Sequence, residues 1–151
     1  MKVLVTGSAG MLGRNLMSEF HSSSVATATG LSRQDLDLTD AKAVKKRIAE
    51  EKPDVVVHAA AKVGGIQMNV DDPVKFLMDN LTMDTNVLRA CIDLGVENLL
   101  YLGSSCMYPK DYRQPLVESD ILAAPLEPTN EGYAIAKIAG SKLCEYASVS
   151  Y

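Results

Sequence analysis

The chain has 151 residues, of which 47% are hydrophobic and 23% are charged, a balance typical of an ordinary globular domain. Its formal net charge of −4 argues against a nucleic-acid-binding protein, which would need clustered basic side chains. No apolar run reaches the roughly 18–20 residues that span a bilayer, and the first apolar stretch is too short for a signal peptide, so we expect a cytoplasmic protein.

The chain begins with a predicted strand, a tight turn and a helix. Residues 2–7 form a short apolar stretch rich in β-branched side chains. Glycines then recur at intervals of three residues: Gly7, Gly10 and Gly13. Apolar side chains follow at helical spacing: Leu12, Leu16 and Phe20. The segment is therefore expected to pass from a strand through a glycine turn into a helix.

Further strands are predicted over residues 25–30, 54–61 and 98–103. The first of these is weakly indicated because it is rich in alanine and threonine. The other two are apolar without alternation, which is typical of strands buried on both faces of a parallel sheet. We therefore expect a sheet covered by helices on both sides.

Further helices are predicted between these strands and after the last one. Their bounds follow from N-cap residues, apolar spacing, prolines and glycines: from Thr39 or Asp40 to before Pro53, from Pro73 to about Leu94, and from near Glu131 to about Tyr146. Four prolines make residues 106–130 a long loop. Loops of this length in a compact domain are commonly functional.

The alternation of strands and helices predicts an α/β fold with a right-handed, doubly wound parallel sheet. Sheets of this class bind ligands at the carboxyl ends of their strands. In this chain those ends are the turn at Gly7, the segment after Ala61 and the segment after Gly103. A ligand site is therefore expected where these three segments meet.

The glycine turn has the spacing and the position of a dinucleotide-binding loop. Glycines permit a tight turn and a close approach of the backbone to a pyrophosphate, and the helix that follows presents its amide groups. A glycine-rich turn without a ligand is the alternative interpretation. Arg33 lies near the end of the second strand, and no acidic residue occurs there before Asp35. A base in this region favours NADP over NAD, although a solvated surface arginine is also consistent with it.

Tyr133 and Lys137 lie four residues apart, on one face of a predicted helix. A nearby cation would lower the pKa of the tyrosine, and such a phenol can exchange a proton with a carbonyl or alcohol oxygen. The spacing alone also occurs on ordinary helix faces. Ser104 and Ser105, at the end of a predicted buried strand, strengthen the catalytic interpretation.

Three longer runs carry a resemblance to a known family: residues 59–66, 102–110 and 126–140. Together with the serine, tyrosine and lysine, they resemble GDP-L-fucose synthases, a family of extended short-chain dehydrogenases/reductases. That family performs 3,5-epimerisation and 4-keto reduction of GDP-4-keto-6-deoxy-D-mannose with NADPH. The resemblance covers the whole chain and implies a Rossmann-like fold.

The resemblance implies roles for four side chains in the reaction. Ser104 would hydrogen-bond the C4 oxygen of the sugar, and Tyr133 would protonate that oxygen. Lys137 would lower the pKa of the tyrosine and bind the nicotinamide ribose. Cys106 would take the protons at C3 and C5, and a position close to Lys137 would give its thiol some thiolate character.

The resemblance also implies a set of cofactor-binding residues. Arg33 would contact the 2′-phosphate, and Asp37 and Leu38 would lie near the adenine. The complete set is Gly7, Gly10, Met11, Leu12, Gly13, Arg33, Asp37, Leu38, Ala60 and Lys137. Met107 and Lys110 would lie in the loop that approaches the nucleotide-sugar substrate.

Other polar and thiol side chains have structural interpretations. Three widely spaced cysteines without a CxxC motif indicate neither a disulfide framework nor a zinc site, so we expect reduced thiols and no bound metal. Cys91 and Cys144 are expected to pack in the interior. His58 is interpreted as a core histidine, and Asn80 and Asn86 as structural residues.

Members of this family are longer than 151 residues, because a substrate domain follows the cofactor-binding part. Residues 1–151 are therefore expected to be the NADP-binding domain of such an enzyme, without the substrate domain and without the histidine that acts as the acid in epimerisation. We expect self-association, as in a homodimer, weak NADP binding and no turnover by the isolated chain. A related nucleotide-sugar epimerase or dehydratase, and a non-catalytic dinucleotide-binding module, remain the alternatives.

Overall fold

The computed structural model describes residues 1–151 and contains a sheet of four parallel strands. The strands are β1 (Lys2–Thr6), β2 (Thr27–Leu31), β3 (Val55–His58) and β4 (Asn98–Tyr101). Their order in the sheet is β2-β1-β3-β4. The chain therefore moves outward in one direction from β1 to β2, and in the other direction from β3 to β4. The predicted doubly wound parallel sheet is confirmed.

Five α-helices accompany the sheet: α1 (Met11–Ser22), α2 (Ala41–Glu51), α3 (Ile66–Asp71), α4 (Pro73–Leu94) and α5 (Glu131–Ser150). Three single turns of 3₁₀-helix interrupt the long connection before α5: Ser105–Met107, Glu118–Asp120 and Pro128–Asn130. None of the helices combines the length and apolar character needed to cross a membrane.

The two faces of the sheet bury different helices. Val3, Val5 and Val57 pack against apolar side chains of α1. Leu4 and Val56, on the opposite face, join a larger core with residues of α2 and α4: Val44, Ile48, Val87, Ala90 and Cys91. Successive residues of one strand thus enter two separate cores. This explains why β1 and β3 are apolar without alternation.

Local capping signals fix the ends of the helices. The Asp40 carboxylate accepts hydrogen bonds from the backbone N–H groups of Lys42 and Ala43, which confirms the predicted start of α2. Asp72 caps α4 in the same way through Lys75 N–H, with a proline in the first turn. Gly95 ends α4 with a left-handed φ of 68°, a conformation that glycine adopts without strain.

Several boundaries differ from the prediction. All of the predicted strands are shorter than expected, α3 was not predicted because it has only six residues, and α5 runs past Tyr146 to Ser150. The prediction of a buried β4 is wrong. No strand pairs with its outer side, and the Leu100 side chain is 53% exposed. Leu100 is aligned with Val57 of the neighbouring strand. Unlike Val57, it does not belong to the buried cluster between the sheet and α1.

Candidate functional site

The glycine turn after β1 is packed so closely that side chains are excluded from it. Gly7 has a φ of 71°, and a Cβ atom there would lie 2.7 Å from the Ala60 Cα atom. A Cβ atom at Gly13 would overlap the Gly7 carbonyl oxygen and lie 2.7 Å from the Ser8 Cα atom. Gly10 is the N-cap of α1 and offers no side chain to the first amides of that helix. The turn therefore brings backbone N–H groups and an open surface together at the end of β1.

A cleft of about 580 Å³ lies beside this turn, at the carboxyl ends of β1, β2 and β3. Three segments and one helix contribute its walls: the glycine turn, residues 31–39 after β2, residues 59–63 after β3, and Lys75, Asp79 and Met83 of α4. Six predicted cofactor-binding residues line it: Gly7, Gly10, Arg33, Asp37, Leu38 and Ala60. Met11, Leu12, Gly13 and Lys137 do not line it.

The segment after β2 has one exposed cation and an ordered backbone. The Arg33 side chain is exposed at the cleft. The Asp37 carboxylate accepts hydrogen bonds from the Thr39 N–H and hydroxyl groups, and these bonds lower the pKa of Asp37. Leu38 is buried and belongs to the core beneath the cleft. Asn86 donates to the carbonyl oxygens of Leu38 and Thr39, so its predicted structural role agrees with its contacts.

Lys62 and Lys75 were not among the predicted cofactor-binding residues, although both line the cleft. Their ammonium groups lie 3.0 Å and 3.2 Å from the Asp79 carboxylate, and the hydrogen bond from Lys62 is the largest of the effects that lower the pKa of Asp79. The buried Asn80 accepts from the Lys62 N–H group at 2.7 Å and donates to its carbonyl at 3.0 Å. Lys62 lies in the first of the three resemblance runs, which is the signal that could have identified it.

Ser104 and Cys106 follow β4 in a single 3₁₀ turn. The Ser104 hydroxyl oxygen accepts a hydrogen bond from the Cys106 N–H group at 3.2 Å. Asn130, immediately before α5, donates through Nδ2 to the Cys106 sulfur at 3.1 Å, and its Oδ1 atom is buried without a hydrogen-bond partner. This hydrogen bond connects the turn after β4 to the start of α5. Asn130 was not among the predicted site residues, although it lies in the third of the resemblance runs, immediately before the helix that carries Tyr133.

Tyr133 lies in the first turn of α5 and is half-buried. Burial raises the pKa of its phenol, and the nearby Ser104 hydroxyl opposes that rise. The prediction that Lys137 would lower this pKa is wrong for this arrangement. The serine and the tyrosine lie close enough for the hydroxyl to affect the pKa of the phenol.

The ammonium group of Lys137 lies near the Asp84 carboxylate, whereas the predicted neighbour was the Cys106 thiol. Its Nζ atom lies 3.8 Å from the Asp84 Oδ2 atom and 4.2 Å from the centre of the Tyr101 ring. Burial lowers the pKa of Lys137, and Asp84 opposes that effect. Cys144 lies two turns after Lys137 on α5, and burial raises the pKa of its thiol to about 11. The predicted proximity of Cys106 to Lys137 is not among the contacts of either side chain, and Asn130 is the polar partner of the Cys106 sulfur.

Comparisons with known proteins agree with this architecture. A family model described as the NAD dependent epimerase/dehydratase family matches residues 3–151. The GDP-L-fucose synthase of Azorhizobium caulinodans is 50% identical over 145 residues, and the GDP-L-colitose synthase of Yersinia pseudotuberculosis is 47% identical over 146 residues. The solved GDP-mannoheptose C4 reductase of Campylobacter jejuni, with NADP bound, has a TM-score of 0.93 at 31% identity and covers 99% of this chain and 48% of that chain.

The two sequence alignments cover 96% and 97% of this chain, but 46% and 47% of the relatives. The chain thus spans about half the length of the curated relatives it matches. The predicted resemblance to GDP-L-fucose synthases is confirmed. The parallel sheet, the glycine turn and the match over nearly the whole chain lead to one conclusion: the chain belongs to the NAD-dependent epimerase/dehydratase family.

Proposed function

We propose that residues 1–151 are the NADP-binding and proton-transfer half of an epimerase/reductase that converts GDP-4-keto-6-deoxy-D-mannose to GDP-L-fucose. One observation carries the proposal. The carboxyl edge of one sheet presents a glycine-lined cleft after β1, β2 and β3, and a serine, a thiol and a phenol after β4. The similarity to a GDP-L-fucose synthase and to an NADP-bound C4 reductase supports this substrate class and this cofactor.

The residues of the cleft fit a dinucleotide phosphate. Gly7 and Gly13 leave no space for side chains, so the backbone of the turn can approach a pyrophosphate closely. The first amides of α1 lack a side-chain cap and are available as donors to an anion. Arg33 is exposed at the same cleft and is suited to a 2′-phosphate. NADPH, when bound, supplies the hydride that reduces the sugar ketone.

Tyr133 is suited to deliver the proton that completes the reduction. Because burial raises its pKa, the phenol remains protonated at neutral pH, which is the form that can donate to a developing C4 alkoxide. The Ser104 hydroxyl interacts with the same phenol and can hydrogen-bond the same sugar oxygen. The pair can thus hold and protonate one oxygen atom without a lowered phenol pKa.

Cys106 is suited to remove the protons at C3 and C5. Both carbons adjoin the C4 carbonyl, which stabilises the enolates that form when these protons leave. The Asn130 amide donates to the Cys106 sulfur at 3.1 Å, and a hydrogen bond of this kind is stronger to a thiolate than to a thiol. We therefore assign Asn130 as the group that stabilises the basic form of Cys106.

The first test concerns the cofactor. Arg33→Ala is expected to weaken NADPH binding by roughly 10- to 100-fold, because a charged hydrogen bond contributes about 1.5–3 kcal/mol, while NADH binding stays unchanged. Fluorescence titration of the 151-residue chain with both nucleotides measures this difference. Arg89→Ala is the matched control, since Arg89 pairs with Asp93 on α4 and does not line the cleft. An equal loss for NADPH and NADH, or no loss, would contradict the assignment of Arg33.

A further inference from the structure

A buried carboxylate on α4 lies at the centre of a polar cluster behind the proposed catalytic residues. Asp84 is 1% exposed. Its Oδ1 atom lies 3.0 Å from the His58 Nε2 atom, and its Oδ2 atom accepts a hydrogen bond from the Tyr101 hydroxyl group at 2.5 Å. The same Oδ2 atom is 3.8 Å from the Lys137 ammonium nitrogen. An ionised carboxylate at this depth requires such partners, because burial without them is strongly unfavourable.

The cluster continues to the glycine turn. The Ala60 N–H group donates to the Thr6 Oγ1 atom at 3.4 Å, and that hydroxyl oxygen lies 2.7 Å from the His58 Nδ1 atom. The Asp84 carboxylate can only accept, so the His58 ring donates to it from Nε2. The Thr6 hydroxyl can accept and donate at the same time, so it can donate its proton to Nδ1. A series of hydrogen bonds therefore joins Ala60, which packs against Gly7, to Asp84, which faces Lys137.

The titratable groups around Lys137 come from every element packed against it. Asp84 faces it from α4 and Tyr101 from β4, with His58 of β3 behind Asp84. Tyr133 and Cys144 lie one turn before and two turns after Lys137 on α5. Burial and Asp84 raise the pKa of Tyr101, and burial raises the pKa values of Cys144 and Tyr133. These three groups are neutral at neutral pH. Asp84 is thus the anion that can offset the burial of the Lys137 ammonium group.

We propose that Asp84 is a positioning residue that keeps the Lys137 ammonium ion charged and correctly placed, and that Thr6 and His58 link this carboxylate to the glycine turn. The catalytic importance of this arrangement rests on the proposed function, together with the contact to the nicotinamide ribose that the family resemblance implies for Lys137. The arrangement itself concerns only residues of this chain. It assigns a role to a carboxylate and a histidine that the proposed reaction does not use directly.

The test is the titration of Lys137 in the complete 151-residue chain, without nucleotide or sugar. NMR of chains with isotope-labelled lysine follows the Lys137 side chain, which is assigned by its disappearance in Lys137→Arg. Asp84→Asn preserves the size of the side chain and removes its charge. We expect this variant to shift the Lys137 titration to lower pH, because burial of the ammonium ion is no longer offset. Asp84→Glu is expected to restore it largely.

A matched control lies on the same helix. Asp79→Asn removes a charge that pairs with Lys62 and Lys75 and is expected to leave the Lys137 titration in place. A fingerprint spectrum establishes that each variant is folded. An unchanged Lys137 titration in folded Asp84→Asn, or an equal shift in Asp79→Asn, would overturn the proposal.

A second variant decides the matter if Asp84→Asn does not fold. Tyr101→Phe keeps the ring beside the ammonium group but removes the hydroxyl donor that shares Asp84 Oδ2 with Lys137. We expect it to shift the Lys137 titration to higher pH, opposite to Asp84→Asn. A shift to lower pH, or none, would overturn the proposal. The Lys137 titration is measured without any ligand, so its outcome does not depend on the NADPH titration. Failure of the proposed function would appear in the NADPH titration alone.

Discussion

Tyr133→Phe is expected to lower kcat about 10²–10⁴-fold in a chimera of this chain with the C-terminal half of the Azorhizobium caulinodans relative, because general acid catalysis contributes that much. The two proteins are 50% identical over the region that would be exchanged. Exchange of the sugar hydrogens at C3 and C5 with deuterated solvent is expected to continue in this variant. Loss of the phenol removes the proton for the C4 oxygen but leaves the thiol that forms the enolates.

Cys106→Ala is the counterpart of that experiment. It is expected to stop hydrogen exchange at C3 and C5, and to stop turnover with it, because the epimerised ketone is no longer formed. Mass spectrometry of the sugar in deuterated solvent separates the two steps. Tyr146→Phe serves as the control, since Tyr146 lies on the same helix with its side chain 63% exposed. Loss of exchange in Tyr133→Phe, or its persistence in Cys106→Ala, would contradict the assigned roles.

The second large effect is expected at the glycine turn. Gly13→Ala should lower the free energy of unfolding by about 3 kcal/mol, the upper part of the range for overpacking, because the new Cβ atom meets backbone atoms that cannot rotate away. The atoms concerned are the Gly7 carbonyl oxygen and the Ser8 Cα atom. Equilibrium unfolding in urea measures the change.

Gly65→Ala provides the matched control for this substitution. A Cβ atom at Gly65 has no other atom within 4 Å, and its φ of −65° suits any residue. As an N-cap position it should change the free energy of unfolding by less than about 1 kcal/mol. If Gly13→Ala were as stable as Gly65→Ala, the close packing of α1 on the turn would be refuted.

The features that the sequence predicted well depend on local patterns. The intervals between Gly7, Gly10 and Gly13 predicted the turn, and the apolar run of β3 predicted a strand covered on both faces. Asp40 predicted the start of α2, because its short side chain reaches the free amides of the first turn. Each of these signals lies within a few residues of the structure that it predicts.

The features that the sequence did not predict depend on contacts between distant segments. Asp84 reads as an ordinary acidic residue of a helix, and only the packing of α4 against α5 brings it to Lys137. That contact also explains why the predicted effect of Lys137 on Tyr133 was wrong, since the ammonium group faces the carboxylate. The exposure of β4 likewise depends on which strand lies next to it, which its own apolar residues do not reveal.

An NMR titration of the isotope-labelled chain with NADP⁺ shows whether the cleft beside the glycine turn binds the nucleotide. We predict that the backbone amide signals of residues 7–13, 33–38 and 59–62 shift together as the nucleotide is added. A second cavity of about 500 Å³, between the carboxyl ends of α2 and α4, serves as the internal comparison. Shifts confined to that cavity, or no shifts at all, would show that NADP does not bind at the cleft.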